Sequence, residues 1–431
     1  MDNLLKREKL AGGAHFNIIS DPRFKFNRIT FGFFVPLDEG KASLNALVPR
    51  VLSDTNADYP LMKDFNNFLA SLYNAKSDFE VASLGDTQFL GVSMNFMDDS
   101  YALHGEKITE VASKTLFDCI FRPVNDGAAF HGKTVENSKR IQIEAIEAEI
   151  NEKRTYAANQ AKRIIYAGEP AAVNPLGTVE GTRAITPESI YNAHYELLNS
   201  AVIEIICVGC NDFSDALRIA KEQFAERKME LRQPVSSTSS YSPLKAQVAE
   251  KTETLPALNQ SKMVLGFKSD GDARTALPVL TLMCNLYGGT ISSKLFLNVR
   301  ERLSLCYYCW SRLSPHKGAM SVNCGVEEKN IGKAKDEILT QLDNVRQGDF
   351  TDDELNNALL FEQNNIKTVN DSLGSLTWWY FTRLYMNDIC SPEEYLAKYE
   401  GITRDDIITA AKTMKLDTLY VLSGDGEEAD E

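Results

Sequence analysis

The sequence predicts an α+β fold made of two tandem homologous α+β units, each a mainly antiparallel sheet packed by helices. Three observations predict it: landmarks that recur in the same order in both halves, a Ser/Pro-rich break between them, and strands and helices that interleave without regular alternation.

The break is Gln233-Pro234-Val235-Ser236-Ser237-Thr238-Ser239-Ser240-Tyr241-Ser242-Pro243, too polar to bury much apolar surface. It divides the chain into a first unit over 1–228, a linker over 229–250, a second unit over 251–424 and an acidic tail over 425–431. Near the start of each half stands a short apolar strand, Ile29-Thr30-Phe31-Gly32-Phe33 and Met263-Val264-Leu265-Gly266-Phe267. Towards each end, Ile185-Thr186-Pro187-Glu188 is echoed by Ile402-Thr403-Arg404-Asp405. A threonine followed by acidic residues is how a helix begins, since its hydroxyl accepts an orphan N–H and the carboxylates face the positive end of the helix dipole. Each such helix leads into an apolar strand, Val202–Val208 or Leu419–Leu422.

Between these landmarks the periodicity predicts a helix over Phe65–Leu72, a hairpin over Glu80–Phe96, and one long amphipathic helix over Glu136–Ile165. In the second half it predicts a helix over Ser292–Val299 and a strand over Ala319–Gly325. Trp378-Trp379-Tyr380-Phe381 falls in a helical stretch. Consecutive aromatics cannot all face one core, so the run predicts either a partner-facing side or packing between the two repeats.

The 431 residues carry 60 acidic and 46 basic side chains, a net charge of −14. Such a surface repels phosphate backbones and anionic lipid, so neither nucleic acid nor membrane is expected as a partner. The polar start, Met1 to Lys9, and the lack of any membrane-length apolar run predict a cytoplasmic protein. The eight cysteines form no disulfide framework. Two Cys-x-x-Cys pairs exist, Cys207/Cys210 and Cys306/Cys309. Both lie at or within predicted strands, where positions i and i+3 face opposite sides, so no shared zinc site is expected.

Several segments carry a family resemblance. Ser293-Lys294-Leu295-Phe296, then Val299-Arg300-Glu301, then Leu305-Cys306-Tyr307 form the most specific run. Asn174-Pro175-Leu176-Gly177 before Ile185-Thr186, and Phe117 to Pro123, supply weaker matches in the right order. Together they resemble the pitrilysin/insulinase-type zinc metallopeptidases and their mitochondrial processing peptidase relatives, over nearly the whole chain.

Peptide-cleaving members of that family carry His-x-x-Glu-His on the first helix: two imidazoles on one helical face for zinc, and a glutamate as general base. The matching segment here is Asn45-Ala46-Leu47-Val48-Pro49-Arg50. In the preferred register the ligand positions are Ala46 and Arg50 and the base position is Pro49; shifted by one they are Asn45, Pro49 and Val48. Neither register binds zinc. The five histidines, His15, His104, His131, His194 and His316, contain no i, i+4 pair. A remnant of the family's third ligand is expected at Glu144 or Glu147, against the alternative of a solvated helix face.

The resemblance further implies that Arg300 and Tyr307 hold the substrate. A guanidinium fork and a phenol can both donate to a peptide carbonyl and stabilise the developing oxyanion. The competing reading is a salt-bridged surface arginine and a core tyrosine. On the family pattern, four such units enclose a peptide chamber, often shared by two chains. This chain is then expected to be the non-catalytic, substrate-binding subunit of a heterodimeric zinc peptidase. It would hold no cofactor itself, and zinc would sit on a homologous His-x-x-Glu-His partner. The alternatives are a purely structural subunit and a self-sufficient hydrolase of other chemistry, for which no Gly-x-Ser-x-Gly elbow is present.

Overall fold

The computed structural model describes residues 5–225, 242–256, 258–269 and 276–424. Most of the Ser/Pro-rich break and the acidic tail over 425–431 lie outside the described residues. The chain packs as two units, and each takes a segment from the other half of the sequence. The first unit comprises Met1–Glu147, Val173–Ser237 and Val369–Ser391; the second comprises Ala148–Ala172, Thr238–Thr368 and Pro392–Glu431.

The first unit holds strands β1 (Leu5–Ala11), β2 (Ala14–Ser20), β3 (Phe26–Pro36), β4 (Lys76–Leu84), β5 (Thr87–Met97) and β6 (Val202–Gly209), in the order β1-β2-β6-β3-β5-β4. Strands β2 and β6 run parallel and the other neighbours antiparallel. Every residue from Ile29 to Val35 is buried, and this continuous run marks a strand covered on both faces. On one face Ile29, Phe31 and Phe33 pack with Leu47, Val51, Leu116, Ile120 and Leu197 from the surrounding helices. On the other, Phe34, Phe89, Ile206 and Val208 meet Tyr380 and Phe381 of the Leu373–Tyr385 helix.

That helix carries the predicted aromatic run. Tyr380 and Phe381 are buried, Trp378 sets its edge against Phe89 at 5.2 Å, and the Trp379 indole donates to the Cys390 carbonyl at 3.0 Å. The run is thus chiefly core of the first unit, because the helix lies flat on a sheet and sinks a wide face into it.

The second unit holds β7 (Ala249–Thr254), β8 (Ser261–Ser269), β9 (Cys306–Ser314), β10 (Ala319–Val326) and β11 (Met414–Ser423), ordered β7-β11-β8-β10-β9. Strand β7 runs parallel to β11 and the rest are antiparallel. Strands β7, β11, β8, β10 and β9 therefore repeat the arrangement of β2, β6, β3, β5 and β4. Thr186 and Thr403 both form reciprocal capping boxes, Thr186 with Ser189 and Thr403 with Asp406, as the repeated Ile-Thr signal predicts.

The long helix predicted over Glu136–Ile165 is two helices, Gly132–Glu147 and Lys153–Ile165, separated by a tight turn at Ala148–Asn151. Glu152 caps the second by accepting from the Arg154 amide. The apolar periodicity crosses the break because each piece has its own buried stripe: Val135, Ser138 and Gln142 in the first unit, Ala157, Ala161 and Ile165 in the second. The predicted Ser292–Val299 helix starts at Lys294, runs to Arg302, and is widened into π-helical turns from Phe296. Among the described residues no helix is long and apolar enough to cross a membrane.

Candidate functional site

Ala46, Pro49 and Arg50 stand on the Ala42–Ser53 helix of the first unit. Ala46 and Pro49 are buried, and Pro49 interrupts the helical hydrogen bonding because it has no N–H to offer. The Arg50 guanidinium lies 4.4 Å from the centre of the Phe79 ring, a cation–π contact. A methyl, a pyrrolidine ring and a cation are not a donor set for zinc, so no chemical step passes through a metal on this helix. Asn45, of the alternative register, donates to the Gln88 side chain at 3.2 Å.

Neither Glu144 nor Glu147 turns inward. Glu144 pairs with Arg140 at 2.7 Å and Glu147 lies 3.8 Å from Arg183, and both are more than half exposed. The solvated-face alternative describes them. From the Gly132–Glu147 helix, the polar side chain that does reach the first helix is Gln142, which the sequence reading missed. Its buried amide donates to the Ser43 carbonyl at 2.9 Å, the Leu176 carbonyl at 3.2 Å and the Thr182 hydroxyl at 3.1 Å. It ties the helix to the Asn174–Gly177 turn, where Gly177 has φ +76° and approaches Ser43 too closely for a Cβ.

Arg300 and Tyr307 are brought together in the second unit. Arg300 lies in the last turn of the π-helical stretch, which Leu295 and Val299 anchor in the core. The chain then reverses at Ser304, whose φ is +48°, and enters β9. As a result Arg300 and Tyr307 line one cavity of 380 Å³, together with Glu301, Cys306, Glu327 and Asn330. Tyr307 is 65% exposed, so it is not a core residue. The Arg300 guanidinium sits 4.6 Å over the Phe296 ring and 3.4 Å from the Glu301 carboxylate.

Phe296 also lines a second, more apolar cavity of 710 Å³ with Ile291, Trp310, Leu360 and Phe361. Among the described residues strand β9 is the outermost strand of its sheet, with a strand neighbour on one side only. Of these flanking residues only Phe296 was named from the sequence, within the Ser293-Lys294-Leu295-Phe296 run. The signal was the apolar Leu360-Phe361 pair on a helix otherwise rich in polar residues.

The expectation for Cys306 and Cys309 is corrected. In β9 Cys306 pairs with Val326 and Tyr308 with Gly325, so Tyr307 is an extra residue, a β-bulge. One inserted residue restores a common face to positions i and i+3. Cys306, Cys309 and Cys324 consequently converge, their sulfurs all within 4.8 Å of one another. Hydrogen bonds from the Cys309 and Cys324 thiols, assisted by the Arg300 charge, hold the Cys306 thiol below its ordinary range, while burial and the Cys306 sulfur push Cys309 up. Cys207 lies buried in β6, with Cys210 just beyond it, and neither belongs to this cluster.

Residues 184–360 match the family model described as Peptidase M16 inactive domain. The probable inactive metalloprotease YmfF of Bacillus subtilis is 25% identical over 418 residues, 96% of each chain. The crystal structure of a conserved protein from Enterococcus faecalis V583 superposes with a TM-score of 0.89 at 23% identity, covering 99% of this chain and 100% of that one. The peptidase M16 inactive domain from Pseudomonas fluorescens gives a TM-score of 0.75 at 16% identity, with 99% and 100% covered. The two structures share the fold.

Proposed function

The chain being a homologue of the pitrilysin-type (M16) metallopeptidases that lacks the zinc motif, we propose that it is the substrate-holding subunit of a two-chain zinc peptidase. A homologous partner carrying His-x-x-Glu-His supplies the zinc and the general base. This chain supplies the Arg300 guanidinium and the Tyr307 phenol, which grip a peptide carbonyl.

The observation that carries this reading is the shared 380 Å³ cavity, to which the π-helical stretch and a neighbouring strand each contribute one donor. Both groups are able to donate hydrogen bonds, and neither is buried in the core. The flanking apolar cavity suits a hydrophobic side chain of the same peptide, and an extended segment can add to the free edge of β9. The substrate class is therefore a small peptide or an extended segment with an apolar residue near the cleaved bond.

A structural subunit is the second reading, and the Arg300–Glu301 contact favours it, since a paired arginine needs no substrate. Mixing the chain with a zinc-bearing homologue that co-elutes with it separates the two. On the proposed reading, the pair cleaves peptides and neither chain does so alone. Tyr307→Phe in the pair then lowers kcat by about tenfold or more, because a donor to the oxyanion is gone, while co-elution is unchanged. A pair carrying Tyr307→Phe that cleaves at the unaltered rate supports the structural reading instead.

A further inference from the structure

The convergence of Cys306, Cys309 and Cys324 is not needed by the substrate-holding role and stands independently of it. Two adjacent strands build it. Cys309 and Cys324 face each other directly across β9 and β10, and the bulge at Tyr307 brings Cys306 round to the same side. The bulge is supported by Gly325, where a Cβ would meet the Tyr308 ring at 2.2 Å, so only glycine lets that ring lie across the strand. All three cysteines are buried, and none is part of a disulfide.

Isolated buried cysteines serve as small apolar residues, and Cys119 or Cys207 fits that description. Three sulfurs within 4.8 Å of one another can do more. A thiophilic ion bound at about 2.3 Å from each sulfur sets the sulfurs about 3.8–4 Å apart, and the observed spread accommodates that triangle. Cys306 also lines the 380 Å³ cavity, which gives an ion a way in and leaves room for a water beside it. The Arg300 side chain on the same cavity offsets the negative charge that three thiolates would bring. An all-sulfur donor set selects soft d¹⁰ ions over magnesium or calcium.

We propose that Cys306, Cys309 and Cys324 form a three-thiolate binding site for a thiophilic d¹⁰ cation, Zn(II) or Cu(I). On binding, each thiol that is still protonated releases its proton to solvent, and each of the three sulfurs forms one bond to the ion. Zn(II) completes four-coordination with a water in the cavity, whereas Cu(I) is satisfied by the three sulfurs.

The test uses the full chain, purified and kept reduced under anaerobic conditions. It is titrated separately with Zn(II) and with Cu(I) against chromophoric chelators, and with Co(II) as a spectroscopic probe. The site predicts about one ion per chain, a thiolate-to-cobalt charge-transfer band in the near ultraviolet, and protection of the three thiols from alkylation. Cys324→Ser weakens binding by about tenfold or more. Because Cys324 is fully buried, Cys306→Ser at the cavity wall serves as a second variant, with the metal-free circular dichroism spectrum as the folding control. Preference for one ion over the other identifies the occupant and supports the site. Failure to retain any of the three ions overturns the proposal. So does equal retention by a correctly folded Cys306→Ser chain, or a disulfide within the trio that persists in reductant.

Discussion

Gln142 and Glu204 show how single buried polar groups hold the first unit. The Gln142 amide serves three acceptors on three segments, and its removal strands buried carbonyls. Gln142→Ala is expected to destabilise the protein by about 2–3 kcal/mol, read as a shift of the denaturant midpoint. Glu204 is buried in β6, where it accepts from both Arg7 terminal nitrogens, at 2.7 and 2.8 Å, and from Asn17 at 2.8 Å. Burial works against its charge, but His15, Arg7 and Asn17 outweigh it and hold the carboxyl below its ordinary range. A depressed folded-state pKa contributes stability that is full above the unfolded value and is lost as pH falls through the folded one. Glu204→Gln should therefore cost about 3 kcal/mol near neutral pH, with the gap to the wild type narrowing below about pH 4. A constant gap down to acid unfolding would contradict this. At this scale the sequence was legible at its caps, since Thr186 and Thr403 act through their own neighbours. Gln142 and Glu204 were not legible, because their partners come from distant segments.

At the scale of elements, two glycines explain why the repeated strand motif reads Thr-Phe-Gly-Phe and Val-Leu-Gly-Phe. A Cβ on Gly32 would lie 2.8 Å from the Phe381 ring, and one on Gly266 would lie 2.6 Å from Ile165. In each unit a helix from a distant part of the sequence packs onto the central strand at its glycine. Gly266→Ala is expected to cost about 1–3 kcal/mol through overpacking in the second unit, and the thermal midpoint should fall accordingly. An unchanged midpoint would mean that the Lys153–Ile165 helix can move away freely. Strands and helix starts were readable from periodicity and caps. The break at Ala148–Asn151 was not, since both helices keep a buried stripe and only tertiary packing sends the first against the Ala42–Ser53 helix and the second onto the sheet of the second unit. The bulge at Tyr307 was equally hidden, because the extra residue shows only against the register of β10.

Across the whole molecule, the duplicated plan was legible because a repeated strand order needs the same local signals twice, and those survive in the landmarks around Gly32 and Gly266, Thr186 and Thr403. The packing division was not, because a boundary drawn at a polar linker follows the chain, while the units follow burial. That Ala46, Pro49 and Arg50 offer zinc no ligand follows from residue type alone, wherever the helix lies. The apolar cavity beside Arg300 was invisible for the opposite reason, being assembled from three separate stretches of the second unit.

The substrate-holding claim rests on Arg300 and Tyr307, and the guanidinium gives its most direct test. Turnover of the reconstituted pair is to be measured with wild-type chain and with Arg300→Ala, at equal zinc content of the partner and saturating peptide. Loss of a donor aimed at the developing oxyanion predicts a fall in kcat of about 10²–10³ with the two chains still associated. An Arg300→Ala pair that turns over as fast as the wild type would contradict the account.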